Sequence, residues 1–211
     1  MKRKPYTFEK VFDDPKWAKS YAKRNEKRNR RITKTVLIKN LKDFGFETGV
    51  ILDAGCGAGE VCVELAHGFP KAKIVGIDLG EPVLELAREL AKKEGVENQV
   101  TFKTGDVTKI PFKNDSFNVV VSINVFHILD DPVLMLDEIE RVLSPAGKLF
   151  ILCIRRSWIA YILPIFKTAY TAPEVMETLK RSKLRKSEVS ETFWAWGIVV
   201  SGKDNPGQKS I

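Results

Sequence analysis

Asp53, Asp78 and Asp106 each close a short apolar run, and the first of them leads into Gly55, Gly57 and Gly59 at alternate positions. Carboxylates accept hydrogen bonds from ammonium groups and hydroxyls. Alternating glycines let the backbone turn sharply and let a ligand approach the main chain. An acid about twenty residues beyond such a turn is where a ribose diol is gripped in nucleotide-binding sheets. The chemistry in view is recognition of a ribose-bearing ligand.

The elements that must position these groups follow from the flanking residues. Val50–Leu52 reads as a strand, the glycines as a tight turn, and Val61, Val63, Leu65 and Ala66 as a helix running to about Gly68. Lys73–Asp78 and Val100–Val107 read as second and third strands. Three such strands would set three carboxylates on one rim of a parallel sheet, where ligands of open α/β sheets bind. Pro82–Lys93 is a helix pattern with Gly95 as its cap, and Phe117–Ile123 is a continuous apolar strand of the kind found mid-sheet. Asp131 precedes Pro132 as the N-cap of a helix to Leu143, and Pro145-Ala-Gly147 turns into a fifth strand, Lys148–Ile154. A helix over 173–181 and an antiparallel hairpin of 186–193 with 196–201 complete the pattern. Upstream, Pro15–Arg31 and Thr33–Phe44 read as two separate helices, the first with Trp17, Tyr21 and Ala22 partly on one face.

Composition narrows the classes. A chain of 211 residues suffices for one α/β domain. The apolar run Trp158–Phe166 is too short to span a bilayer and contains Pro164, and Met1-Lys-Arg-Lys-Pro5 is not followed by a leader-like apolar core. Cys56, Cys62 and Cys153 form neither a disulfide framework nor a Cys-x-x-Cys pair, and the two histidines, His67 and His127, lie far apart. The expectation is a cytoplasmic protein with no membrane span and no metal site. Net charge is +8, yet residues 1–49 hold 15 Lys/Arg against 6 Asp/Glu while the remainder holds 20 against 21. The basic excess lies in the N-terminal segment, around Lys23–Arg31. Such a run reads either as a solvated helix face or as a phosphate contact for RNA.

Asp53-Ala54-Gly55-Cys56-Gly57-Ala58-Gly59, Gly76-Ile77-Asp78, Gly105-Asp106-Val107 and Phe117–Asn124, in this order and spacing, resemble class I S-adenosylmethionine-dependent methyltransferases. Within these they look most like the ubiquinone/menaquinone-type small-molecule group. The third glycine comes one residue early for the dinucleotide pattern Gly-x-Gly-x-x-Gly. The resemblance implies an α/β, Rossmann-like fold: a seven-stranded, mostly parallel sheet with an antiparallel last strand and helices on both faces. It divides the chain into a basic helical segment (1–44), a methyltransferase domain (45–202) with an aromatic insertion at about 157–172, and a flexible tail (203–211). It implies S-adenosylmethionine as cofactor and S-adenosylhomocysteine as product. Asp53 and the Gly55 and Gly57 backbone would hold the methionine part, with Ala54, Cys56 and Gly59 also in the cofactor site. Asp78, with Leu79 beside it, would take the ribose, and Asp106 and Val107 the adenine. Asn124 would complete the site, and Tyr21 would reach it from a lid formed by the N-terminal helices. The competing reading is that the acids cap helices and that Trp17 and Tyr21 only pack a helix.

The acceptor side is less specific. The loop after the fourth strand offers Phe126 and His127, with His127 as a candidate base because imidazole titrates near neutrality. The insertion offers Trp158, Tyr161, Phe166 and Tyr170, either as a lid over an apolar acceptor or as a homodimer interface. The Asn-Pro-Pro-Tyr-like motif of nucleic-acid base methylation is missing, and so is the Pro-Cys companion that would make Cys153 a nucleophile. Cys153 therefore reads as core. The expected activity is methyl transfer to a small, partly apolar acceptor. RNA methylation and a non-catalytic regulator are the alternatives.

Overall fold

The computed structural model describes residues 14–156, 167–184, 187–192 and 195–200. The strands are β1 (Thr48–Ala54), β2 (Lys71–Asp78), β3 (Val100–Thr104), β4 (Phe117–Ile123), β5 (Leu143–Ile154), β6 (Glu188–Glu191) and β7 (Ala195–Val200). They form one sheet in the order β3-β2-β1-β4-β5-β7-β6. The first five pair in parallel, and β7 runs antiparallel between β5 and β6. The chain winds outward from β1 in both directions, so a crevice opens between the ends of β1 and β4.

The helices are α1 (Pro15–Ile32), α2 (Ile38–Asp43), α3 (Glu60–Gly68), α4 (Glu81–Lys93), α5 (Pro132–Val142) and α6 (Ala172–Arg181). Neighbouring strand residues serve opposite faces, as the pleat requires. Ile51 joins Leu37, Leu65, Leu84 and Phe150 in one core cluster, while Leu52 joins Leu136, Ile139, Val175 and Trp196 in the other. The N-terminal helices, α3 and α4 thus cover one face, and α5 and α6 the other.

Two local expectations change. The two N-terminal helices are one continuous helical path, joined by a π-helical turn at Thr33–Leu37. Thr33 and Thr35 return their hydroxyls to the carbonyls of Asn29 and Arg31, both at 2.8 Å. Such back-bonding in a β-branched run accompanies a widened turn, which delivers Leu37 and Leu41 to the core. β5 begins at Leu143 rather than after the Pro145–Gly147 turn, and its register with β4 slips between the Phe117 and Val119 pairs. Between β3 and β4 the chain makes a short connection without a helix. Arg141 of α5 holds this loop, reaching the carbonyls of Phe112 (2.8 Å) and Ile110 (2.9 Å).

Candidate functional site

The glycine turn connects β1 to α3 at the rim of the sheet. Gly55 has φ +82° and Gly59 φ +83°, in the left-handed region. A Cβ at Gly59 would lie 2.8 Å from the Ala87 Cβ of α4, so glycine also sets how closely the turn approaches that helix. The amides of Gly55 and Cys56 both donate to the carbonyl of Ile77, at 2.8 and 2.9 Å, which fastens the turn to β2.

Asp78 stands at the end of β2. One of its oxygens accepts from Gly57 N at 2.9 Å and the other from Gly80 N at 3.1 Å. Burial pushes its carboxyl above the usual range, against the lowering effect of the Gly80, Gly57 and Leu79 amides. Leu79, next in sequence, is 58% exposed, an apolar side chain left open at the rim. Asp106 follows β3 and accepts from the Thr108 amide (2.8 Å) and hydroxyl (2.7 Å) through Oδ1. No helix follows it, so helix capping does not explain this acid. Val107 beside it is buried.

Asp53 differs from the other two. It is fully buried, and its carboxyl is pushed up to about 7 by burial, with the negative neighbours Asp78 and Glu60 adding to the rise. The Cys62 thiol donates to it at 3.3 Å. Among the described residues it has no cation partner. Glu60, also buried and raised by burial, accepts from Asn29 Nδ2 of α1 at 3.3 Å. Sequence reasoning passed over Glu60, although an acid directly after a glycine turn and opening a helix is a readable signal.

α1 lies across this turn. Its Arg30 bonds Glu64 of α3 at 2.6 Å and Glu94, just after α4, at 2.7 Å. Tyr21 stacks on Trp17 with ring centroids 5.0 Å apart, and its Cε1 would be 3.5 Å from a Cβ on Gly57. The structure therefore brings Tyr21 to the glycine turn, together with Asp53, Gly55, Cys56, Gly57 and Asp78.

The loop after β4 is tied into the sheet and the core. Asn124 adopts φ +61°, and its Oδ1 accepts from Ile154 N at 3.2 Å, so its side chain ties β4 to β5. Phe126 has no exposed surface. It packs edge-on against Tyr170 (5.1 Å) and Trp196 (4.9 Å) as a core ring, not a pocket wall. Tyr170 is buried for the same reason. His127 is 3% exposed, with Nδ1 3.0 Å from Cys153 Sγ. Burial pushes the Cys153 thiol up to about 12, so it keeps its proton. Asp131 caps α5 as its sequence predicts, accepting from Val133 N at 3.1 Å.

Trp158, Tyr161 and Phe166 lie outside the described residues. The two ends of their segment lie side by side: Arg156 N donates to Tyr170 O at 3.0 Å, and its guanidinium reaches Ala169 O and Glu174. Among the described residues, no group of three or more His, Cys, Asp or Glu is arranged to hold a metal ion, and no helix is long and apolar enough to cross a membrane.

A family model described as a methyltransferase domain matches residues 46–202. Demethylmenaquinone methyltransferase of Lactococcus lactis is 36% identical over 177 residues, which is 82% of this chain and 66% of that protein. Malonyl-[acyl-carrier protein] O-methyltransferase of Legionella pneumophila is 38% identical over 46% of this chain and 33% of its own length. The chain thus spans just under two thirds of one relative and about a third of the other. Among solved structures, a SAM-dependent methyltransferase from Aquifex aeolicus superposes with TM-score 0.72 at 26% identity, covering 88% of this chain and 97% of that one. A Methanococcus maripaludis protein superposes with TM-score 0.77 over 99% of this chain and all of its own; at 20% identity it bears on the fold alone.

Proposed function

We propose, from the premise that this chain belongs to the class I S-adenosylmethionine-dependent methyltransferases, that it transfers a methyl group to a small, partly apolar acceptor. The observation that carries this reading is the rim itself. A left-handed glycine turn, two buried or half-buried carboxylates without a cation among the described residues, and an exposed leucine share this rim, and Tyr21 reaches it at Gly57. That donor set fits the cofactor's chemistry. Asp53 would receive the ammonium of the methionine part, the group whose charge its buried carboxyl lacks. Asp78 has two oxygens for the two ribose hydroxyls, and Leu79 would flank the adenine while Asp106 accepts from its amine and the Val107 amide donates to its ring nitrogen.

When bound, the cofactor supplies a methyl group already activated by a positive sulfur. The protein's task is then alignment and exclusion of water, which alone accounts for several kcal/mol of a barrier. We assign His127 no proton transfer, because its ring is buried with Nδ1 against Cys153 Sγ. The segment that includes Trp158, Tyr161 and Phe166 is proposed as acceptor cover, supported by the Arg156 clamp at its foot.

The acceptors named for the relatives are a demethylmenaquinone and a malonyl-[acyl-carrier protein], both unlike RNA. This favours a small-molecule acceptor over an RNA substrate or a non-catalytic regulator. A cytoplasmic location is supported by three free cysteines. Calorimetry with S-adenosylmethionine and S-adenosylhomocysteine tests the reading, and absence of binding at millimolar ligand ends it. Tyr21→Phe is expected to raise the cofactor dissociation constant several-fold, by about 1 kcal/mol for one lost hydrogen bond. An unchanged constant would reduce Tyr21 to a packing residue.

A further inference from the structure

The outer face of α1 is a line of cations that the site does not use. At about 100° per residue, Lys16, Lys19, Lys23, Lys27 and Arg31 fall within an arc of roughly 120°. All five are exposed, and none forms an ion pair with a carboxylate among the described residues. The buried Ala18 and Asn29 point the opposite way, toward α3 and α4. The line extends about 22 Å at the usual rise per residue. Glu26, the one acid of α1, lies at the edge of this arc, about 20° from Lys19, and is paired with Arg30, which falls within the arc but turns to Glu64 and Glu94.

We propose that this face docks the protein on an anionic lipid surface. The inference rests on the reading of the acceptor as a partly apolar small molecule. Such a molecule partitions into a bilayer, and no described helix can follow it across. A straight, single-faced row of lysines matches a plane of headgroups, to which each cation near the surface adds attraction. A single-stranded nucleic acid would call for aromatic rings among the cations. Here Trp17 and Tyr21 turn toward the inner side instead, where Tyr21 meets the glycine turn. The same helix therefore faces the surface on one side and the donor site on the other, which brings the mouth of the site close to a lipid-dissolved acceptor.

The test is co-sedimentation of the full chain with vesicles of phosphatidylcholine alone and of phosphatidylcholine mixed with phosphatidylglycerol. Binding only to the mixed vesicles, released by high salt, is the expected result. The variant K16E/K19E/K23E/K27E should bind them about tenfold more weakly or worse, with unchanged affinity for S-adenosylmethionine by calorimetry. Equal binding to both vesicle types, no binding to either, or an unaffected variant overturns the proposal. So does tighter retention of a transfer-RNA probe than of vesicles at the same salt, which would assign the face to RNA. None of these outcomes touches the methyltransferase reading, which stands or falls on cofactor binding by the intact chain.

Discussion

Asp78→Ala is expected to raise the dissociation constant for S-adenosylmethionine about a hundredfold or more. The two ribose hydroxyls would lose one ionised acceptor, and hydrogen bonds to charged groups contribute roughly 1.5–3 kcal/mol each. The substitution also releases Gly57 N and Gly80 N, which the carboxylate now holds at 2.9 and 3.1 Å. Some of the loss would therefore come from a looser glycine turn. Asp78→Asn separates the two contributions. It keeps one acceptor and nearly the same shape, so it should fall between wild type and alanine. Calorimetry of the three proteins, with circular dichroism to verify folding, is the measurement. A change below fivefold for alanine would remove Asp78 from the ribose.

Asp53 yields the largest expected pH dependence. Its carboxyl sits at about 7 in the folded protein, because burial and the nearby Asp78 and Glu60 oppose its charge. In the unfolded chain it returns to about 3.9. The folded state holds the proton more tightly, so this group's contribution to stability is complete below pH 4 and is lost as pH rises through 7. Three pKa units correspond to about 4 kcal/mol, an upper figure for a buried group. Asp53→Asn removes the titration. It should raise the midpoint of denaturant unfolding of the cofactor-free protein at pH 8 relative to its effect at pH 4. The cofactor ammonium requires the carboxylate, so binding below pH 7 should expel a proton, about 0.9 per site at pH 6 and about 0.1 at pH 8. Calorimetry in buffers of different ionisation heat reads this directly. Equal heats in all buffers at pH 6 would show that Asp53 is already ionised or does not meet the ammonium.

Much of the fold follows from local code. β4 is written as a continuous apolar run, and all of it except Asn118 is buried. The alternating glycines, the acids at the ends of β1 and β2, and the Asp131–Pro132 helix start all lie within a few residues of what they shape. The matched family span, 46–202, covers the motifs that carry the resemblance. A short window could not decide whether the two N-terminal helices separate, because a π-helical turn is selected by how Leu37 and Leu41 fit a core built from later strands.

The site divides in the same way. By itself the sequence determined which groups stand at the rim: residue type and strand ends specify three carboxylates and a turn that only glycine adopts cheaply. Only the tertiary structure decided their states and partners. Asp53 holds its proton more tightly because it is fully buried and Asp78 and Glu60 crowd it. His127 is buried with Nδ1 against a thiol 26 residues away, and Phe126 is drawn into the core by Tyr170 and Trp196. Tyr21 meets Gly57 because Arg30 anchors α1 to Glu64 and Glu94, far along the chain. The physical reason is range. Backbone conformation is set mostly by neighbours in sequence, whereas desolvation, protonation and side-chain direction depend on every element that packs around a group.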